Sequence, residues 1–213
     1  MRYRNILSIV LLTVVISFIY MANKIGTNSF KHPLHYYTNI DDDSLKLEAA
    51  KFLLEIASNM MEPAAMFLLG TYLYNGEFME KDTVRAVSLF YESAKKGNAR
   101  AMYEYSLYMS RNGVEKDSVL GTAVECMSKS AEDGFQQAMK WLLEYHDTRQ
   151  EYSRAYVYAK KLYMLKDVYG TRYMADCYRH GRSVERDKRL AKDLYRDAAG
   201  LGCKESEKIL QEW

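Results

Sequence analysis

The chain has 213 residues, a net charge of +2 from 30 basic and 28 acidic side chains, and only two prolines. That length allows a sizeable core or a short solenoid. The near-neutral balance removes the global basic field that would argue for nucleic acid. The abundance of Tyr, Met, Ala and Lys, with few helix breakers, suits an all-helical protein.

Arg2 and Arg4 precede an uncharged run from Ile6 to Ala22 (ILSIVLLTVVISFIYMA). As a helix it reaches roughly 25 Å, slightly short of a ~30 Å hydrocarbon core. Flanking Asn5, Asn23 and a snorkelling Lys24 close the difference. A cleaved signal peptide needs small residues before the cut, and cleavage after Ala22 would leave Tyr20 three residues from it. An uncleaved transmembrane signal anchor over 6–22 is therefore expected, after a short cytoplasmic N-terminus at 1–5. Arg2, Arg4 and the amine narrowly outweigh Lys24 and Lys31, placing residues beyond 22 on the extracytoplasmic side of an inner (plasma) membrane. In a Gram-negative cell that side is the periplasm. If the segment is cleaved, the product is secreted or periplasmic instead.

Residues 23–43 lack helical periodicity and hold one proline and an acidic run, which makes them a linker. His32, His35 and Asp41–Asp43 invite a metal-site reading, but the aspartates lie beside the start of the next helix, where negative charge meets the positive end of the dipole. The adjoining SLKLEAAKFLLEIASN (44–59) carries Leu47, Ala50, Leu53, Leu54 and Ala57 on one face and reads as a lone cap helix.

From Ala65 to Gly97 the chain reads AMFLLGTYLYNGEFMEKDTVRAVSLFYESAKKG. Ala65, Leu69 and Leu73 share a helix face. Gly70 permits close approach there, Gly76 suits a left-handed cap, and Asp82 suits the N-cap of a second helix. That second helix offers Ala86, Leu89, Phe90, Ser93 and Ala94 as its apolar or small stripe, and Gly97 ends it. The Ala65 phase returns at Ala101, Ala138, Gly170 and Ser206. The Ala86 phase returns at Ala123, Ala155 and Ala191. The closing glycine returns at Gly134 and Gly202, with Lys166 once in its place, and the N-cap aspartate returns at Asp117 and Asp187. The period of about 36 residues is that of helical solenoids.

These residues resemble the Sel-one-like repeat, a relative of the tetratricopeptide repeat, with its pattern A-x-x-x-L-G-x-x-Y-x-x-G-x-G-V-x-x-D-x-x-K-A-x-x-W-Y-x-x-A-A-x-x-G. The copy at 170–202 matches through Ala175, Tyr178, Gly181, Val184, Asp187, Ala191, Tyr195, Ala198, Ala199 and Gly202. The second copy loses a turn residue before Gly113 and gains two after Asp117. The third lacks the G-x-G-V turn and has Leu143 where a small residue is usual. The resemblance implies an all-α fold: a right-handed α-solenoid over 44–213, preceded by one hydrophobic helix. Its units lie near 65–97, 101–134, 138–166 and 170–202, with caps at 44–59 and 203–213.

Three cysteines, Cys126, Cys177 and Cys203, cannot form a complete disulfide framework. Cys177 and Cys203 could pair, but no pair is the default reading. The chain has no H-E-x-x-H, C-x-x-C, G-x-S-x-G or phosphate-binding Gly-rich loop. His146 and His180 fall at the ends of first helices, where surface or capping roles are usual. A pairing of His180 with Cys177 has neither an oxyanion site nor a third member. No catalytic residue, metal or cofactor is expected.

What remains is surface. In a solenoid the first helices line the concave face. Their outward positions are Phe67, Thr71 and Tyr74; Tyr103, Leu107 and Ser110; Lys140, Glu144 and Asp147; and Arg172, Asp176 and Arg179. Aromatic and arginine anchors dominate interface energies, so Phe67, Tyr74, Tyr103, Lys140, Glu144, Arg172 and Arg179 are the candidate partner-binding residues. With 19 tyrosines in the chain, about half are expected in the core instead. The expected function is a non-catalytic, membrane-anchored scaffold for a protein or peptide in the cell envelope. The alternative is binding or processing of peptidoglycan or another envelope polysaccharide, for which tyrosines also suit sugar stacking. Self-association is a further possibility.

Overall fold

A computed structural model describes residues 54–55, 58–59, 61–77 and 79–213. The Ile6–Ala22 segment, the linker and most of the 44–59 cap lie outside the described residues. No helix among the described residues is long and apolar enough to cross a membrane. These residues form nine helices and no strand beyond one isolated bridge pair. The chain divides into two compact units at Gly121/Thr122.

The first unit contains α1 (Pro63–Asn75), α2 (Thr83–Lys95) and α3 (Ala99–Arg111). Pro63 opens α1 at a position where a missing N–H costs nothing. Gly76 ends it in the left-handed region at φ 75°, donating to the Tyr72 carbonyl. A side chain there would be strained as well as crowded against Lys81. Asp82 caps α2 as expected, its carboxylate accepting from Arg85 N–H at 2.9 Å. Ala65, Leu69, Leu73, Ala86, Phe90, Ser93 and Ala94 are buried, while Leu89 is only half-buried. Ser93 is tolerated at zero exposure because its hydroxyl donates to the Pro63 carbonyl at 2.6 Å. Asn98, which the repeat pattern does not single out, caps α3 through Ala101 N–H.

The insertion after Asp117 changes the cap. The repeat phase predicts Asp117 as the cap of the next helix, and it is not. Its carboxylate instead accepts from Val119 and Leu120 N–H, both at 2.8 Å, and its backbone pairs with Gly121. Thr122 caps the next helix, in a reciprocal capping box with Glu125. The two extra residues form a local turn around one carboxylate, and the next acceptor in the chain takes over the helix start.

The second unit contains α4 (Ala123–Glu132), α5 (Gln136–Thr148), α6 (Tyr152–Met164), α7 (Val168–His180), α8 (Lys188–Gly200) and α9 (Lys204–Gln211). Ala123 does not sit in mid-helix as its counterparts do: it is the first residue of α4, three residues shorter than α2, and is half-buried. Ala155 and Ala191 keep the phase and are fully buried. Lys166 adopts the left-handed backbone of the glycines it replaces, at φ 56°. Asp167 and Asp187 cap α7 and α8.

Leu143 proves to be part of a size exchange. In the first repeat a Cβ on Gly70 would lie 2.8 Å from the Phe90 ring, so glycine faces bulk. In the last, Ala175 and Tyr195 occupy those two positions. In the third, the same positions hold Leu143 and Ala159, both fully buried. The larger residue has moved from the second helix to the first, with both positions still buried.

Gly170 makes the tightest approach. A Cβ there would stand 2.3 Å from Leu162 Cβ and 3.0 Å from the Ala159 carbonyl, whereas one on Gly200 would meet nothing within 4 Å. Gly170→Ala is therefore expected to destabilise the chain by roughly 1–3 kcal/mol through overpacking. Gly200→Ala, on an exposed helix turn, should be neutral or stabilising by up to about 1 kcal/mol. Thermal unfolding of both variants decides it; equal melting temperatures would refute the packing role of Gly170.

Candidate functional site

In the first unit Phe67 and Tyr74 are half-buried on α1, both tilted against Phe90, with centroids 5.9 and 6.2 Å away. The Lys81 ammonium lies 5.9 Å above the Tyr74 ring. Thr71 donates its hydroxyl to the Phe67 carbonyl at 2.9 Å. On α3, Tyr103 is half-buried, and burial raises its phenol above the ordinary value. Leu107 is half-buried and Ser110 exposed. Tyr105, which helix phase did not mark, is core: it contacts Tyr91 at 5.2 Å and Tyr108 at 6.0 Å and donates to Asp117. Burial pushes its phenol up to about 12.

In the second unit most outward positions are already committed to internal partners. Lys140 pairs with Asp167 at 2.6 Å, which ties α5 to the cap of α7. Asp147 accepts from the Tyr173 hydroxyl at 2.6 Å. Asp176 accepts from Arg172 at 3.1 Å and from the Tyr195 hydroxyl. Burial, then that hydrogen bond, pushes the Tyr195 phenol up to about 12. Arg172 also lies 3.9 Å from Glu205 and over the Tyr169 ring. Arg179 sits 5.4 Å from the Trp213 ring, which Lys192 approaches from 5.8 Å and against which Tyr195 packs edge-on. Glu144 is exposed. The half-buried guanidinium of Arg172 thus lies among Asp176, Glu205 and the Tyr169 ring.

Sequence reasoning missed a ladder on α5. Trp141 and Tyr145 stack at 5.0 Å with a 15° interplanar angle, and the Arg149 guanidinium lies 3.9 Å over Tyr145. The signal was present: the three are spaced i, i+4, i+8.

His146 is not a surface residue. It is 6% exposed, stacks parallel to Tyr158, and its Nδ1 meets Glu151 Oε2 at 2.7 Å. Glu151 N–H also donates to the His146 carbonyl, and Gln150 takes φ 61° between them. This clip closes the turn that lacks G-x-G-V. The hydrogen bond from His146, helped by Arg154, holds the Glu151 carboxyl below its ordinary value.

The Cys177–His180 pairing has no nucleophile. Cys177 is 1% exposed, and burial pushes its thiol up to about 12, so it is protonated rather than nucleophilic. His180 is exposed. Cys126 and Cys203 are also buried, and neither is in a disulfide. No cluster of metal-ligating side chains occurs among the described residues.

Repeated helix pairs with left-handed closing turns and outward-facing first helices define a helical-repeat solenoid of the interaction type. The Sel1 repeat family model matches residues 63–98, 99–135 and 168–203, together half of the chain. The chain belongs to the Sel1 repeat family, whose members generally serve as non-catalytic scaffolds for protein–protein interaction. The copy left unmatched is the one with the size exchange and the His146 turn. Among solved structures, a Sel1 repeat protein from Oxalobacter formigenes is similar at TM-score 0.61 and 23% identity, covering 76% of this chain and 66% of that one. A protective antigen present in uropathogenic Escherichia coli strains, displaying an SLR fold, is similar at TM-score 0.64 and 22% identity, covering 77% of this chain and 36% of that one. The chain thus spans under two thirds of each. No curated protein is significantly similar.

Two outcomes are expected. Because the folded-state value of Glu151 is depressed, its contribution to stability is present above the ordinary carboxylate range and is lost as pH falls through the depressed value. Acid unfolding of Glu151→Gln should therefore lose part of its pH dependence below about pH 4.5; identical acid-unfolding profiles for the variant and the parent would count against the clip. Cys177 should resist alkylation in the folded chain at pH 8 and react on unfolding, as read by mass spectrometry of the modified peptide.

Proposed function

We propose that the protein is a non-catalytic scaffold that binds a protein or peptide through the outward faces of its first helices. The observation that carries this is Arg172, a guanidinium held in place by Asp176 and Tyr169 yet still open to solvent. An anchor whose rotamer is fixed before binding loses little conformational entropy in the complex. In the first unit Phe67 and Tyr74, braced on Phe90, offer aromatic anchors of the same kind, and half-buried Tyr103 on α3 adds a further aromatic side chain. Glu144 supplies the exposed acid on α5. Lys140 and Arg179 act at the margin, being engaged with Asp167 and Trp213.

The uncharged Ile6–Ala22 run supports a membrane-anchored protein with its repeats on the extracytoplasmic side. Binding would then take place in the cell envelope.

In-cell crosslinking of the full-length chain, purification from membranes and identification of the attached species test this reading. One or two dominant protein partners are expected, weakened about tenfold or more by Arg172→Ala. The variant's melting temperature, compared with that of the parent, separates lost binding from lost fold. Recovery of glycan without protein, or of self-crosslinks alone, would overturn the scaffold reading.

A further inference from the structure

The turns that close the repeats differ sharply in polarity. Two of them read Ala94-Lys95-Lys96-Gly97 and Ala131-Glu132-Asp133-Gly134. The third reads Tyr163-Met164-Leu165-Lys166, and its apolar residues point into solvent: Met164 is 73% exposed, Leu165 47% and Tyr163 37%. Val157, 51% exposed, lies two turns before Met164 on the same stripe of α6. Leu201, at Leu165's position in the next repeat, is 41% exposed. Met164 and Leu201 border one open groove of about 520 Å³, whose far wall carries Arg196 and Asp197 of α8. Single exposed apolar residues are ordinary, but a contiguous group of this kind marks an interaction site.

The charges identify what it meets. Between Glu151 and Asp167 the chain has no acid and four cations. Lys160 and Lys161 alternate with Val157 and Met164 along the exposed stripe, and Lys166 follows Leu165. None of these three lysines forms an ion pair among the described residues; Lys161 lies over the Tyr158 ring. The outward surface of α8 differs: there Arg196 is paired with Asp193, and Asp197 stands one residue on. Exposed Val, Tyr, Met and Leu among unpaired lysines, with no acid in the segment, match the interface of an anionic bilayer. Apolar side chains enter the acyl boundary there while ammonium groups meet lipid phosphates. A protein partner chosen by the same charges would need its own acidic rim. A lipid surface supplies negative charge and apolar depth together.

We propose that the exposed face of α6 and its closing turn, Val157 to Lys166, is a peripheral contact for anionic phospholipid. This contact draws on the second unit alone and does not depend on Ile6–Ala22 or on the partner-binding faces.

The test uses the full-length chain reconstituted from detergent into vesicles. One set is pure phosphatidylcholine and the other contains about 30% phosphatidylglycerol. Met164→Cys carries an environment-sensitive fluorophore, and Ser88→Cys on α2 carries the same label as a control; the native cysteines are buried. Expected is a blue shift and protection from an aqueous quencher at 164 only with phosphatidylglycerol, with no change at 88. Adding Lys160→Glu, Lys161→Glu and Lys166→Glu should lower the inserted fraction by roughly tenfold or more. Circular dichroism confirms that each variant is folded. A label at 164 that stays open to quencher on both vesicles would overturn the proposal and assign the patch to a protein partner. Equal insertion on both vesicles would overturn the lysines' role. Whether the chain remains with pure phosphatidylcholine vesicles reports on the N-terminal segment separately.

Discussion

Two helices approach closely only where one offers a small side chain and the other offers bulk. The first, third and fourth repeats depend on that constraint. In the first, a Cβ on Gly70 would touch the Phe90 ring, so the ring occupies space the glycine leaves. In the fourth, Ala175 and fully buried Tyr195 hold the same positions. In the third, Leu143 and Ala159 reverse the assignment with both still at zero exposure. The larger residue changes helix while both positions stay buried, as volume exchange across one shared space requires. Once the pair is closed, its outward positions follow from helix geometry alone.

Those outward positions divide into two kinds. Some bind the solenoid to itself: Lys140 to Asp167, Asp147 to Tyr173, Asp176 to Tyr195. Each crosses between helices, and each consumes polar capacity that a partner could have used. Others are oriented by such contacts without being consumed. Arg172 is held on one side and open on the other, and Phe67 and Tyr74 are braced from beneath by Phe90. Half-exposed anchors oriented in this way suit recognition of a protein surface, because little side-chain entropy remains to be lost on binding.

The fold was legible because it rests on local rules repeated at fixed spacing. Gly76, Gly181, Asp82 and Asp187 serve the caps that their residue types dictate. Two helix ends escaped for a physical reason. A two-residue insertion turned Asp117 inward on its own loop and passed the cap to Thr122, and no pattern of residue types says which of two nearby acceptors captures the N–H groups. The His146 turn was illegible because it replaces a glycine motif with a side-chain bond between residues five apart. For the site, helix phase marked positions that are half-buried or exposed. It did not reveal which were already paired, because Asp167 lies 27 residues beyond Lys140 and Asp147 lies 26 before Tyr173. The α5 ladder of Trp141, Tyr145 and Arg149 was readable from its spacing, but it lies beside the stripe of Lys140, Glu144 and Asp147 that the repeat phase marks as outward.

A double-mutant cycle at the third repeat tests most directly whether volume exchange is what keeps the pair closed. Leu143→Ala alone should cost about 2–5 kcal/mol through the cavity it leaves, and Ala159→Leu alone about 1–3 kcal/mol through overpacking. If the two positions share one space, the double variant should recover most of both losses, a coupling of at least about 1 kcal/mol in denaturant unfolding. Additive losses in the double variant would mean that Leu143 and Ala159 fill separate spaces, and the account of how this repeat departs from its neighbours would fail.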